Sequence, residues 1–149
     1  MGNVVFESHI DSVIKATGAA LARAAEDIGE RMETHSKLYI TAGVYESPEG
    51  KYIRTGNLRN SITHETVSDD SAVAVIVGSD VEYAPYVELG TGVYAADGKG
   101  RKTPWRYQDK DGNWHSTRGI PPRPFLRPAV ENHKEEYKQI LAAEFSGLK

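Results

Sequence analysis

Ile62-Thr63-His64-Glu65-Thr66-Val67-Ser68-Asp69-Asp70-Ser71-Ala72-Val73-Ala74-Val75-Ile76-Val77 is the stretch that decides the fold class. Its first arm alternates, with Ile62, His64 and Thr66 on one side and Thr63, Glu65 and Val67 on the other, the period of a strand with two unlike faces. The second arm is a run of small and β-branched residues, the composition of a buried strand. Between them Ser68-Asp69-Asp70-Ser71 is turn chemistry. The segment therefore predicts an antiparallel pair, 62–67 with 72–77, ended by Gly78-Ser79-Asp80.

Upstream, apolar residues recur at spacings of three and four from Val4 to about Ser36, as in Phe6, Ile10, Ala24, Ile28 and Met32. That is the period of one helical face. Alanine is abundant there and proline absent, while Lys15, Arg23, Glu26, Asp27, Glu30 and Arg31 fill the opposite side. Thirty-odd residues at 1.5 Å each give a helix of roughly 50 Å, long for so small a chain. Gly18 and Gly29 mark bends or close helix packing. Leu38 to Val44 reads as a short strand, followed by the turn Ser47-Pro48-Glu49-Gly50. Thr55 to Ile62 reads as a short helix with Thr55 or Asn57 as N-cap.

Downstream, Tyr83-Ala84-Pro85-Tyr86-Val87-Glu88-Leu89-Gly90-Thr91-Gly92 places Tyr83, Tyr86 and Leu89 on one side of a helical turn that Gly90 and Gly92 break. Residues 93–120 form a polar excursion. In it Trp105-Arg106-Tyr107 and Trp114-His115-Ser116 flank an Asp-Gly turn, the pattern of a projecting β-hairpin. From Pro124 onward Phe125, Leu126, Val130, His133, Tyr137 and Phe145 fit one helical face that Gly147 closes. The order is helix, β-rich middle, helix. It predicts an α+β fold in which a long N-terminal and a C-terminal helix pack on a small, mostly antiparallel twisted sheet, with residues 1–149 as a single domain.

Composition narrows the function classes. The 149 residues are 39% hydrophobic and 26% charged, which suits a soluble globular chain. No apolar run approaches the roughly 20 residues a membrane helix needs, and no signal sequence is expected. Without cysteine there are no disulfides or thiol nucleophiles, which suits assembly in a reducing cytoplasm. The net charge of −3 is unevenly divided. Residues 99–127 carry eight cations against Asp109 and Asp111, a local +6 that leaves −9 for the rest. Such a division is either a solvated basic loop or a dipole that favours partners, copies of the chain included.

The chemical motifs of enzymes do not emerge. Gly90-Thr91-Gly92 lacks the Gly-Lys-Ser/Thr of a phosphate loop. The five histidines are scattered without metal-ligand spacing. His64 and Glu65 would point to opposite faces of a strand, and neither Ser61 nor Ser79 sits in a nucleophile elbow. No catalytic residue, cofactor or metal is expected. Trp105, Arg106, Tyr107 and Trp114 could stack on nucleic acid or form a protein contact, since both uses favour aromatic and arginine side chains. Glu88 is either solvated or paired with Arg123 or Arg127, within the subunit or across to a neighbour, and the bidentate fit of carboxylate to guanidinium favours pairing.

Four pieces stand in order: Thr55-Gly56-Asn57-Leu58-Arg59-Asn60-Ser61-Ile62, Val75-Ile76-Val77-Gly78, Tyr83 to Thr91, and Pro124-Phe125-Leu126-Arg127-Pro128-Ala129. Together, from about residue 52 to the C-terminus, they resemble the tail-component family of tailed bacteriophages, minor virion proteins of the tail completion, neck or head-tail joining kind. The resemblance implies an α+β fold, a homo-oligomeric ring, expected to be a hexamer, around the DNA path, and no enzymatic activity. It implies neighbouring connector, head-closure and tail proteins as partners, passage of double-stranded DNA, and a place in the virion after assembly in the host cytoplasm. On this reading Tyr83, Tyr86, Glu88, Arg123, Phe125, Arg127, Trp105, Arg106, Tyr107 and Trp114 form the oligomer and partner interface. The family commonly has a short link between the Gly-Thr and Pro-Phe-Leu-Arg-Pro motifs, whereas about thirty residues intervene here. The alternative is a nucleic-acid-binding accessory protein that uses the basic hairpin.

Overall fold

A computed structural model describes residues 10–46 and 55–148. Helix α1 runs from Ile10 to Ile40, and a π-helical turn, Thr41–Tyr45, extends it. The expected helical residues 4–9 and the turn at 47–50 lie outside the described residues. The strand expected over Leu38–Val44 is instead the end of α1 and the π turn. Met32, Ser36 and Ile40 continue the buried series at four-residue spacing, and Ile40 is fully buried. Burial at the helical period outweighs the β propensity of Tyr39, Ile40 and Thr41.

Helix α2, Asn57–Asn60, follows Gly56, which occupies the capping position at φ 78°. No side chain caps it in the usual way, although the Thr55 hydroxyl accepts the Asn57 amide at 3.3 Å. Strands β1 (Ile62–Ser68) and β2 (Val73–Ser79) pair antiparallel with Ile62 opposite Ser79 and Glu65 opposite Ile76. Asp69 closes their turn by accepting the amides of Ser71 and Ala72 and the Ser71 hydroxyl. These bonds, the Ser71 amide foremost, hold its carboxyl below the usual range. The second strand is not buried on both faces, as its composition suggested. Val73, Val75 and Val77 are half-buried, whereas Ala74 and Ile76 are exposed. A two-stranded sheet has one helix-covered face, and here α1 covers it.

Helix α3 (Ala84–Leu89) ends at Gly90, and a 3-10 turn spans Gly92–Tyr94. Strands β3 (Trp105–Gln108) and β4 (Trp114–Thr117) form the expected second hairpin. The C-terminal helix is broken in two, α4 (Leu126–Glu131) and α5 (Lys134–Ser146). The break lets the Asn132 side-chain Nδ2 donate to the Tyr39 hydroxyl at 3.2 Å and the His133 ring stack on His35 of α1. Helices α4 and α5 both pack along α1. Among the described residues the larger core side chains gather where α1, α2, β1, α3 and α4 meet: Ile40, Leu58, Ile62 and Phe125, with Ala84 between them. Farther up α1 the buried residues are Ala20, Ala24 and Ala25, small enough for close approach of neighbouring elements. The architecture is α+β, two helical ends around two small antiparallel hairpins.

Candidate functional site

The tyrosine turn and the proline-rich segment meet through their backbones. Glu88 Oε2 accepts the amides of Phe125 at 2.6 Å and Leu126 at 2.9 Å, and Oε1 accepts that of Arg127 at 3.0 Å. These are the orphan donors at the start of α4, where a carboxylate also meets the positive end of the peptide dipoles. Within the subunit, the carboxylate expected to pair with Arg123 or Arg127 instead caps these backbone amides. The proline-flanked chain turns its N–H groups toward α3, and three of them satisfy both oxygens before a guanidinium is needed. Arg127 is exposed, and the Arg123 amide donates to the Val87 carbonyl at 2.8 Å.

The two strands of chain that bound the excursion are clasped just beyond. The Thr91 amide donates to the Ile120 carbonyl at 2.9 Å, and the Ile120 amide donates to the Thr91 hydroxyl at 3.0 Å. The Val93 amide reaches the Arg118 carbonyl at 3.0 Å. Gly90 and Gly92 make this approach possible. They sit at φ 73° and 62°, and a Cβ on Gly92 would fall 1.9 Å from the Arg118 carbonyl oxygen. Left-handed backbone and sub-van-der-Waals clearance together require glycine there. The Gly-Thr-Gly motif is thus a packing seam.

From that seam the basic hairpin projects. Asp109 orders its tip: Oδ1 accepts the amides of Asp111 and Asn113, and Oδ2 accepts from His115 Nε2 at 2.7 Å. The His115 bond, with the amides, brings its carboxyl down to about 2. Cross-strand register places Trp105, Tyr107, His115 and Thr117 on one face and Arg106, Gln108, Trp114 and Ser116 on the other. Arg101 lies over Trp105 at 5.7 Å and Arg106 over Trp114 at 5.4 Å, cation–π distances. Tyr107 stacks on His115 with ring centres 5.3 Å apart. Trp114 is 60% exposed.

Of the remaining expected interface residues, Tyr83, just before α3, and Tyr86 on it are exposed and border an apolar hollow of ≈ 430 Å³ with Val44, Leu58, Pro121 and Arg123. Tyr86 also borders a second hollow of ≈ 430 Å³, with Leu89, Gly92, Arg101 and Trp105 on its other walls. Phe125 does not belong with them. It is fully buried, a core residue rather than a contact one, because the Glu88 cap turns the chain inward at that point.

Two polar clusters escaped the sequence reading. His64 lies over Gly29 of α1, with Nδ1 bonded to the Glu33 carboxylate at 2.9 Å and Nε2 to the Glu26 carboxylate at 3.1 Å, the carboxylate oxygens accepting. A Cβ on Gly29 would come within 2.2 Å of the imidazole. Glu33 first, then Glu26, raise the His64 pKa against the opposing effect of burial. Glu33 is held below its usual range by Lys37 and, more weakly, by His64. The signal was available: Glu26, Gly29 and Glu33 are spaced to share one helical face, with an empty position between two acids. In the second cluster His35 Nε2 meets Glu136 at 2.7 Å, and His133 stacks on His35 at 3.4 Å with planes 12° apart. His35, then Arg31 and His133, keep the Glu136 carboxyl low. These three side chains come close enough to hold a metal ion. In-plane lone pairs of parallel rings do not converge on one point, however, so the geometry suits a stacked hydrogen-bonded seam between α1 and α5 better than a coordination sphere. The Ser61 and Ser79 hydroxyls bond each other at 2.7 Å and the nearby backbone. Neither is coupled to a base.

A capped and clasped body that presents a basic aromatic arm is suited to a structural part, one that works through the surfaces it offers. Comparison with protein families gives that class a more specific form. The family model described as "Bacteriophage HK97-gp10, putative tail-component" matches residues 6–90, more than half of the chain, and the protein belongs to this HK97-gp10-like family of phage tail components. The matched span ends at Gly90, next to the seam from which the arm departs. No curated protein matches the chain, and no solved structure does. A tail component is a structural part of the virion that meets other virion proteins. No helix among the described residues is long and apolar enough to cross a membrane.

Proposed function

We propose that the protein is a tail completion or neck component that assembles as a ring, expected to be a hexamer, at the head-tail junction, joins tail to head and leaves a path for DNA. Residues 1–149 would act as one domain, with Tyr83, Tyr86, Trp105, Arg106, Tyr107, Trp114, Arg123 and Arg127 at its contacts with copies and with connector, head-closure and tail proteins. The observation that carries this reading is the balance of apolar surface. Thirteen large hydrophobic side chains are exposed among the described residues, while the buried hydrophobic residues number eleven, five of them alanine. Scattered exposed apolar residues are ordinary, but so many beside so small a core suit a subunit whose surface is covered on assembly. The division of charge supplies two complementary surfaces for a head-to-tail ring.

Chemistry at the arm favours protein over nucleic acid. Arg101 already covers a face of Trp105 and Tyr107 is stacked on His115, so these two rings are less open to bases. Electron microscopy of virions carrying a small tag on this chain tests the position. Density at the head-tail junction is the expected result, and heads full of DNA beside unattached tails are expected when the gene is deleted. A tag at the distal tail tip, or one absent from the particle, rejects the reading.

A further inference from the structure

Between Arg59 and Lys99 the chain has no lysine or arginine, yet it has seven acids: Glu65, Asp69, Asp70, Asp80, Glu82, Glu88 and Asp97. This block contains β1 and β2. Their inward face lies against α1, while register places Thr63, Glu65 and Val67 opposite Gly78, Ile76 and Ala74 on the outward face. Ile76 is 53% exposed and Val67 46%. The outward face is thus an apolar strip holding one carboxylate, Glu65, with Asp69 and Asp70 at one end and Asp80 and Glu82 at the other. Its complement is the outward face of the arm. There Trp114 is an exposed apolar anchor, Arg106 flanks it, and Lys110 stands at the tip between Asp109 and Asp111. Both surfaces are exposed on the same molecule, so neither covers the other.

Resting on the ring proposed above, we infer that the β3–β4 arm of one copy docks on the outward face of the β1–β2 hairpin of the next copy, Trp114 against Ile76 and Val67, and Arg106 toward Glu65. The two faces differ, so the contact is heterologous: each copy offers one arm and one strip, and a fixed rotation between copies closes into a ring. Trp and Arg are both among the side chains enriched in interface hot spots. Charge at the rim orients the approach and weakens with salt, whereas the apolar centre does not. The Asp109 cap and the seam at Thr91 present the arm in one shape, which lowers the ordering cost of docking. Duplex DNA would satisfy the arm's cations but would leave Ile76 and Val67 uncovered.

Native mass spectrometry and sedimentation of the full chain over a wide concentration range test this, together with zero-length carbodiimide cross-linking of mixed light and heavy isotope-labelled copies. The expected result is a closed oligomer with mixed-isotope links from Lys110 to Glu65, Asp69 or Asp70. Trp114→Ala and Ile76→Lys should each weaken assembly about tenfold or more. Arg106→Glu should disrupt it, and Glu65→Arg should restore it in the double variant. All four side chains are exposed, and circular dichroism melting confirms that each variant stays folded. Oligomers that lack these links and survive Trp114→Ala and Ile76→Lys overturn the docking while leaving the ring intact. A chain that stays monomeric at every concentration overturns it too, and the virion tag still reports on the neck position by itself. Loss of duplex binding in Arg106→Glu with assembly unchanged would assign the arm to nucleic acid.

Discussion

Removing the Glu88 carboxylate should be among the most damaging single changes to the body of this protein. Glu88→Ala strands three backbone amides, those of Phe125, Leu126 and Arg127, which now donate at 2.6 to 3.0 Å. A hydrogen bond to a charged group contributes roughly 1.5–3 kcal/mol, and an unsatisfied buried donor costs about 1–3. Arg127 is exposed, so water can take over its amide. The Phe125 amide belongs to a fully buried residue and has no such replacement. Counting the two less accessible donors, and allowing partial rehydration, gives about 3–4 kcal/mol for Glu88→Ala. Glu88→Gln keeps one acceptor oxygen but turns an NH2 toward an amide, and should cost about 1–2 kcal/mol. Arg127→Ala should cost under about 0.5 kcal/mol, as for other exposed positions. Urea denaturation followed by far-UV circular dichroism at pH 7 and constant salt measures all three, with the denaturant slope checked for constancy. The reasoning is refuted if Glu88→Ala lies within 0.5 kcal/mol of wild type, a threshold set by the scatter of surface substitutions. It is refuted in another way if Arg127→Ala matches Glu88→Ala and the double variant is no worse than either, because that coupling belongs to a carboxylate–guanidinium pair.

The remaining predictions concern other contacts. His64 has a raised pKa in the folded state, so its bridge to Glu33 and Glu26 is fully present below the unfolded value of 6.5 and is lost as pH rises through the folded value. Glu33, lowered from 4.5, contributes above that pH and loses its contribution as pH falls through its own folded value. Melting temperature should therefore be highest between these limits, and His64→Gln should flatten the alkaline limb in a pH series of thermal melts. Gly29→Ala raises helix propensity by about 1 kcal/mol but drives a methyl into the His64 ring, and a net loss of roughly 1–2 kcal/mol is expected by denaturation. Phe125→Ala should cost about 3–5 kcal/mol, the value for a buried aromatic rather than an interface one. Replacing residues 95–116 by a short glycine-serine link should leave the thermal midpoint nearly unchanged, because Val93 and Arg118 already meet at 3.0 Å, and should abolish self-assembly in native mass spectrometry.

Elements whose cause is local were legible in the sequence. The long helix follows from its apolar period, the β1–β2 pair from alternation and a Ser-Asp-Asp-Ser turn, and the arm from an Asp-Gly turn between aromatic strands. Errors arose where a distant partner decides. Leu38 to Val44 has the composition of a strand, but Ile40 joins Leu58, Ile62 and Phe125 in the core only if the helix continues. Ala72 to Val77 reads as buried because it is a small and β-branched run, yet among the described residues only α1 covers the pair. Nothing near Glu88 in the chain indicates that the amides it caps lie 37 to 39 residues away. Arginines at 123 and 127 were the visible cations, whereas the backbone was the actual partner. Likewise no Gly or Pro marks the break at His133, and the ring it stacks on, His35, lies nearly a hundred residues earlier.

The seam at Thr91, Val93, Arg118 and Ile120 has an evolutionary consequence. Chain closure entropy rises slowly with length, by about 0.6 kcal/mol per doubling, so whatever is threaded through that seam can lengthen or shrink at little expense to the body. Selection on which neighbour the subunit grips can then act on the inserted residues while the helices and β1–β2 keep their own requirements. Were the arm the contact proposed above, a virion part of this design could be refitted to a new particle by exchanging one loop.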